Sequence, residues 1–248
     1  MELMRAVGLA HLETLRTQLD VVANNVANMN STAFKGERPR FKSFVFDMPQ
    51  APVAGLKRVT FVVPEGVFRD MTQGGIAMTG NPLDLAIEGD AFFVVEGPDG
   101  EQLYTRAGNF ALNADRELVT ATGERVLDDG GAPVAFDPAD RRITIDQDGR
   151  IFTERGEIAR LGLVRFDQVQ RLERRGNGLF ATAEAPIAVE PGGARVVQGA
   201  LERANVEPIF EMTRMIKILR SYQQMQQALE RGRETEERAI DRLPQVQA

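Results

Sequence analysis

Two stretches at opposite ends of the chain carry the same rhythm of apolar positions. Leu12, Leu15, Leu19, Val22, Val26 and Met29 are separated by alternating steps of three and four. Met212, Met215, Leu219, Tyr222, Gln226 and Leu229 repeat that spacing, with Gln226 as the polar exception. On an α-helix such spacing lays down one narrow apolar stripe, the geometry of a coiled-coil seam. The first helix is predicted over 2–28, roughly 40 Å long at 1.5 Å per residue. Gly8 interrupts it and costs about 1 kcal/mol relative to alanine. An asparagine-rich stop follows at Asn24, Asn25, Asn28 and Asn30, since asparagine tolerates left-handed backbone and bonds its own main chain. The second helix begins at Glu207-Pro208, where proline is tolerated in the first turn, and runs toward Leu243, with Pro244 ending it.

Between the helices the period changes twice. Over 31–80, Pro39, Pro49, Pro52 and Pro64 break any helical period, yet Phe34, Phe41, Phe44 and Phe46 punctuate the polar sequence. A free tether is poor in aromatics, so this segment is expected to be extended and to lie against its own subunit or a neighbour. Over 81–198 the pattern is strand and turn. Ala91-Phe92-Phe93-Val94-Val95, then Gly97-Pro98-Asp99-Gly100, then Gln102-Leu103-Tyr104-Thr105 reads as a hairpin. A second turns at Asn113-Ala114-Asp115 and a third at Asp146-Gln147-Asp148-Gly149. Short strands without intervening helices favour an antiparallel arrangement. The fold class is therefore α+β: long N- and C-terminal helices (1–30 and 199–248) pair as a coiled-coil-like domain, with an antiparallel β body inserted between them.

Composition narrows the chemistry. The net charge of -6 argues against a surface that coats nucleic acid. No apolar run approaches the length of a bilayer-crossing helix. The start lacks the profile of a cleavable leader, because Glu13 and Asp20 interrupt it. Cysteine is absent, which removes thiolate nucleophiles and zinc–thiolate sites together. The single histidine, His11, has no converging partners and reads as solvated surface. Asp146-Gln147-Asp148-Gly149 shares its middle with a calcium loop, but Thr144 and Arg155 fall where ligands are needed, so it reads as a turn. Asp128 and Asp129 sit in an evident loop and show no convergence. Catalytic, metal and cofactor sites are not expected.

Ala23-Asn24-Asn25-Val26-Ala27-Asn28 followed by Ser31-Thr32-Ala33-Phe34-Lys35 resembles the N-terminal signature of bacterial flagellar axial proteins, the rod and hook family. Gly199-Ala200-Leu201-Glu202-Arg203-Ala204-Asn205-Val206, leading to Glu211-Met212-Thr213-Arg214-Met215-Ile216, resembles the C-terminal one. Asn81-Pro82-Leu83-Asp84-Leu85-Ala86-Ile87-Glu88-Gly89-Asp90 and Tyr104-Thr105-Arg106-Ala107-Gly108-Asn109-Phe110 resemble the entry to the β body of rod proteins. Within the family the body looks most like proximal-rod members, with distal-rod or hook-type subunits next. Two positions depart from the pattern: Ala33 stands where glycine is usual, and Ala204 where serine is usual.

The resemblance implies a structural subunit rather than an enzyme. Such proteins are exported through the flagellar type III apparatus without a cleaved leader. Their terminal helices assemble with copies of themselves and with other rod proteins into a helical tube, spanning the periplasm, that transmits torque. The assembly interface would comprise both stripes (Leu12, Leu15, Leu19, Val22, Val26, Met29, Met212, Met215, Leu219, Tyr222 and Leu229) with the signature residues Asn24, Asn25, Asn28, Phe34 and Asn205. From a different class, a soluble coiled-coil dimer displaying a ligand-binding β module uses the same stripes between two chains. A hydrolase acting through the acidic loops is a third reading.

Overall fold

The computed structural model describes residues 2–47, 58–190 and 192–241. Pro49 and Pro52 of the proline-rich segment, and the expected helix end at Leu243-Pro244, lie outside the described residues. The chain packs as two compact units. One unit comprises Met1–Ala27, Glu37–Phe68 and Glu207–Ala248; the other comprises Asn28–Gly36 and Arg69–Val206.

In the first unit, helix α1 spans Glu2–Ala27. Strands β1 (Glu37–Asp47) and β2 (Arg58–Arg69) form a two-stranded ribbon within the proline-rich segment, and the closing helix spans Pro208–Asp241. The helices run antiparallel. Near the start of α1, a Cβ on Gly8 would lie 2.6 Å from Leu229 Cδ2, while near its end Asn25 Nδ2 donates to Glu211 Oε2 at 3.4 Å. Gly8 thus removes bulk where the closing helix comes near, which accounts for a glycine inside a helix. Leu15, Val22 and Ile218 are buried at the seam, with Leu19, Val26, Met215 and Tyr222 packed around them.

A second face of α1 meets the ribbon. Thr14 Oγ1 donates to the Val62 carbonyl at 3.2 Å. Asn25 is buried and pairs with the backbone of Glu37 in both directions, each bond 2.8 Å long. That geometry imitates a rung of a β-ladder with a side-chain amide. The asparagine run predicts left-handed backbone, or side chains bonded to their own main chain, at the helix end. Asn25 instead recruits the first residue of β1, and the left-handed non-glycine residues of the described chain are Ala33, Arg116 and Asn177.

The second unit holds the β body. In chain order its strands are β3 (Ile76–Met78), β4 (Leu85–Glu88), β5 (Phe92–Glu96), β6 (Gln102–Thr105), β7 (Ala111–Leu112), β8 (Leu118–Val119) and β9 (Arg125–Val126). There follow β10 (Thr144–Ile145), β11 (Arg150–Thr153), β12 (Gly156–Arg160), β13 (Leu163–Arg165), β14 (Glu173–Gly176), β15 (Leu179–Ala181), β16 (Ile187–Ala188), β17 (Arg195–Gln198) and β18 (Ala200–Glu202). With these in place the closing helix is α2.

The hairpins β5–β6, β7–β8 and β10–β11 are the three read from the sequence, and each is antiparallel. The main core lies under β4, β5 and β11, where Ile87, Phe93, Val95 and Ile151 have no exposed surface. Phe93 meets Phe110 edge to face at 5.1 Å. Phe92 sits in a second cluster with Tyr104, Phe166 and Phe180. Gly108 is required by contact: a Cβ there would lie 1.8 Å from the Leu85 carbonyl oxygen, which belongs to the backbone and cannot move aside.

Candidate assembly surface

The seam of α2 is set one step away from the stripe suggested by spacing. Met215, Tyr222 and Leu229 face α1, but their companions on that side are Ile218, which is buried, and Met225, which is half-buried. Met212 and Leu219 turn to the other side. The cause is local composition. Both rows share Met215, Tyr222 and Leu229; the row through Ile218 and Met225 stays apolar, whereas the row through Leu219 is interrupted by the amide Gln226. Burial therefore favours the first.

What remains outside is a second apolar row. Ile209, Met212, Ile216 and Leu219 lie at steps of three, four and three, with relative exposures of 78%, 45%, 51% and 41%. Phe210 beside them is 69% exposed. These positions share one helical face over about three turns. At later turns the same face carries Gln223, Gln226 and Glu230, so the apolar row is confined to the first part of the helix. The ribbon is similarly open: Phe44, Val45, Val62, Val63, Val67 and Phe68 are exposed. A two-stranded ribbon is marginal in water unless something covers a face of it. Apolar surface gathered in this way is the kind that interaction sites are built from.

The remaining residues of the expected interface fall in two groups. Leu12 and Leu229 are half-buried and line one shallow cavity with Gln226. Asn24 Nδ2 donates to Glu37 Oε2 at 3.1 Å, beside Asn25. The others belong to the β-body unit: Asn28, Met29 and Phe34 in a strap over Asn28–Gly36, and Asn205 at the end of its second stretch, Arg69–Val206. Asn28 and Met29 are half-buried there, and Asn28 Oδ1 accepts from Ser31 Oγ at 3.3 Å. Phe34 is buried, with the Arg174 guanidinium 4.8 Å from its ring centroid. Ala33 holds φ at +52°, the left-handed region, which explains why glycine suits this position.

Beneath the strap lies a buried ionic cluster that no spacing signal exposes. Glu202 Oε1 accepts from Lys35 Nζ at 2.6 Å and from the Gly74 N–H at 2.8 Å, and Oε2 accepts from Arg106 Nε at 2.9 Å. All three side chains are at most 3% exposed. Lys35 Nζ also donates to the Thr72 carbonyl, and Arg106 to those of Gly89 and Ala91, each at 2.8 Å. Burial is the strongest influence on Lys35 and holds its amine below the ordinary lysine value; Glu202 pulls the other way. The donors and acceptors saturate each other, so the arrangement is a fastening rather than a reactive centre.

The acidic loops are equally occupied. Asp128 Oδ1 accepts from the N–H groups of Gly130 and Ala132, and Asp146 Oδ1 from those of Asp148 and Arg150. Each carboxylate closes its own turn. Among the described residues no group of three or more His, Cys, Asp or Glu side chains could hold a metal ion.

Comparison with known proteins follows the same division of the chain. Residues 12–35 match the family described as flagella basal body rod protein. Residues 86–153 match the flagellar hook protein FlgE/F/G D1 domain, and residues 197–242 the flagellar basal body rod FlgEFG protein C-terminal family. The flagellar basal-body rod protein FlgF of Caulobacter vibrioides is 38% identical over 97% of both chains. That of Mesorhizobium japonicum is 32% identical over 96% of both. The rod protein FlgG of Agrobacterium fabrum is 32% identical over 89% of this chain and 92% of its own. With three ordered family matches and relatives aligned along nearly its whole length, the chain belongs to the flagellar basal-body rod protein family.

Proposed function

We propose that the chain enters the proximal rod by burying the outward row of α2 against neighbouring subunits. As a rod-family member it is a structural subunit of the flagellar basal body, without turnover chemistry. The observation that carries the assembly reading is the exposed row Ile209, Met212, Ile216 and Leu219, set opposite a seam that α1 already fills. Covering a large apolar side chain gains roughly 1.5–3 kcal/mol when burial is complete, and these side chains start out partly covered. The gain per subunit is modest, and repetition along a helical stack multiplies it.

On this reading the neighbours are copies of the chain and other rod proteins, and the resulting tube spans the periplasm and transmits torque. Delivery through the flagellar type III export apparatus belongs to the same proposal. The seam residues Leu12, Leu15, Leu19, Val22, Val26, Met215, Tyr222 and Leu229 then act at one remove, by holding α2 so that its outer row faces a neighbour. Of the signature residues, Asn24 and Asn25 tie the end of α1 to β1, whereas Asn28, Met29, Phe34 and Asn205 act within the β-body unit. A coiled-coil homodimer would need the seam residues between two chains, and here they are paired within one.

Two substitutions separate seam from surface. Leu219→Asp leaves the α1–α2 seam intact, so the free subunit keeps its helix content while basal bodies lack it and motility is lost. Leu19→Asp disturbs the seam itself and lowers helix content as well. Normal swimming and normal incorporation of the Leu219→Asp subunit would contradict the assembly reading.

A further inference from the structure

The chain passes between its two units four times, after Ala27, Gly36, Phe68 and Val206. Inside the β-body unit, residues beside three of these passages meet on one side chain. Asn205 Oδ1 accepts from the Gly36 N–H at 2.7 Å, and Asn205 Nδ2 donates to the carbonyls of Asp70 and Thr72 at 2.8 and 2.9 Å. The Asn205 N–H donates to the Phe34 carbonyl at 3.2 Å, and the Asp70 N–H to that of Gly36 at 2.8 Å. The passage after Ala27 opens the strap, which is fastened by the Ala33 N–H on the Glu202 carbonyl at 2.8 Å and by Lys35 on the Glu202 carboxylate. Arg106 completes the anchorage on the body, through Glu202 and two backbone carbonyls.

We propose that this knot, with Asn205 at its centre and Lys35–Glu202–Arg106 beneath it, is the point through which torque enters the body of the subunit. The inference rests on the rod reading. Four unconnected passages would flex separately, and force on one would stretch that strand alone. With three of them tied at one amide and the fourth fastened through Glu202, the passages share the strain. The buried cluster below resists opening, because each bond lost there leaves a charge or amide without water. The side chain of Asn205 is suited to such a tie, since its acceptor takes Gly36 and its donors take Asp70 and Thr72, joining two other segments to its own. The residue contributes to neither apolar core of the body.

The test compares Asn205→Asp with Val95→Ala. The first keeps shape and the acceptor for Gly36 but replaces both donors with an oxygen. The second weakens the apolar core and leaves the knot untouched. In the full-length subunit, Asn205→Asp should raise hydrogen exchange in 28–36 and 69–74 by roughly tenfold or more, with strand β5 unchanged. Val95→Ala should do the reverse. In cells whose only copy is the variant, Asn205→Asp subunits should appear in basal bodies and support swimming in dilute medium, yet fail disproportionately in viscous medium. Val95→Ala cells should slow as wild type does. Asn205→Ser repeats the test without an added charge if the aspartate variant is unstable. Unchanged exchange in the strap, or a viscosity response equal to that of wild type, would overturn the proposal. Absence of the wild-type protein from purified basal bodies would instead overturn the rod reading beneath it.

Discussion

Removing the anion from the buried cluster should be among the most damaging single changes available to the β body. Glu202→Gln preserves volume but leaves Lys35 and Arg106, both at most 3% exposed, facing a neutral amide that can accept from only one of them. Breaking a buried pair by deleting one partner costs about 3–5 kcal/mol, because the surviving charge has no solvent. Lys35→Met is the informative contrast. It removes a cation and leaves Glu202 with Arg106 and the Gly74 N–H, so its cost should be about 1–3 kcal/mol from lost hydrogen bonds. The double variant should cost less than the two single ones added, since Lys35→Met relieves part of the charge that Glu202→Gln strands. The protein has no tryptophan and folds as two units, so one optical transition would blur the result. Hydrogen exchange in β5, read by mass spectrometry, reports on the body alone. Glu202→Gln should accelerate it by roughly two to three and a half powers of ten, and Lys35→Met by clearly less. Equal effects, or a Glu202→Gln effect below about 1 kcal/mol, would refute the reasoning.

Other predictions follow from single contacts. Ala33→Val should destabilise the body by roughly 1–3 kcal/mol, because a β-branched residue resists the left-handed backbone there; Ala33→Gly should be tolerated, and hydrogen exchange in β5 separates the two. Hydrogen bonds from Arg155 hold the Asp140 carboxyl below its ordinary range. A lowered carboxyl contributes stability that is full above the ordinary carboxylate value and is lost as pH falls through the folded one. Asp140→Asn should therefore cost stability near neutral pH, with the gap to wild type closing as the solution is acidified. Ile218→Asp should unpair the helices and reduce far-ultraviolet helix signal, because that position is buried at the seam; loss of helix from Leu219→Asp to the same degree would contradict the assignment of faces.

Much of the fold was legible because one physical signal dominated each region. The β5–β6 hairpin pairs an apolar run with a Pro-Asp-Gly turn, and the helix limits follow from Pro208 and the asparagine run. The face of α2 was not legible from spacing. Two apolar rows share Met215, Tyr222 and Leu229, and choosing between Ile218 and Leu219 depends on which row α1 covers. The ribbon β1–β2 was hidden for another reason. Prolines at 39 and 64 exclude helix but are compatible with a strand whose outer edge is unpaired, so the sequence suggested extension without pairing. The knot was the least visible feature. Lys35, Glu202 and Asn205 are far apart in sequence and ordinary in type; only folding brings 35 beside 202 and 205 beside 36. The nearest signal was their place inside the two terminal signatures.

The absence of cysteine offers a direct test of the central claim, that the outer row of α2 is buried by neighbouring subunits. A single Ile216→Cys substitution supplies the only thiol in the chain, at a position 51% exposed in the subunit alone. Maleimide labelling should be rapid on the purified subunit and roughly a hundredfold slower in intact basal bodies, with reactivity returning when the rods are dissociated. Equal labelling of free and assembled protein would contradict the account.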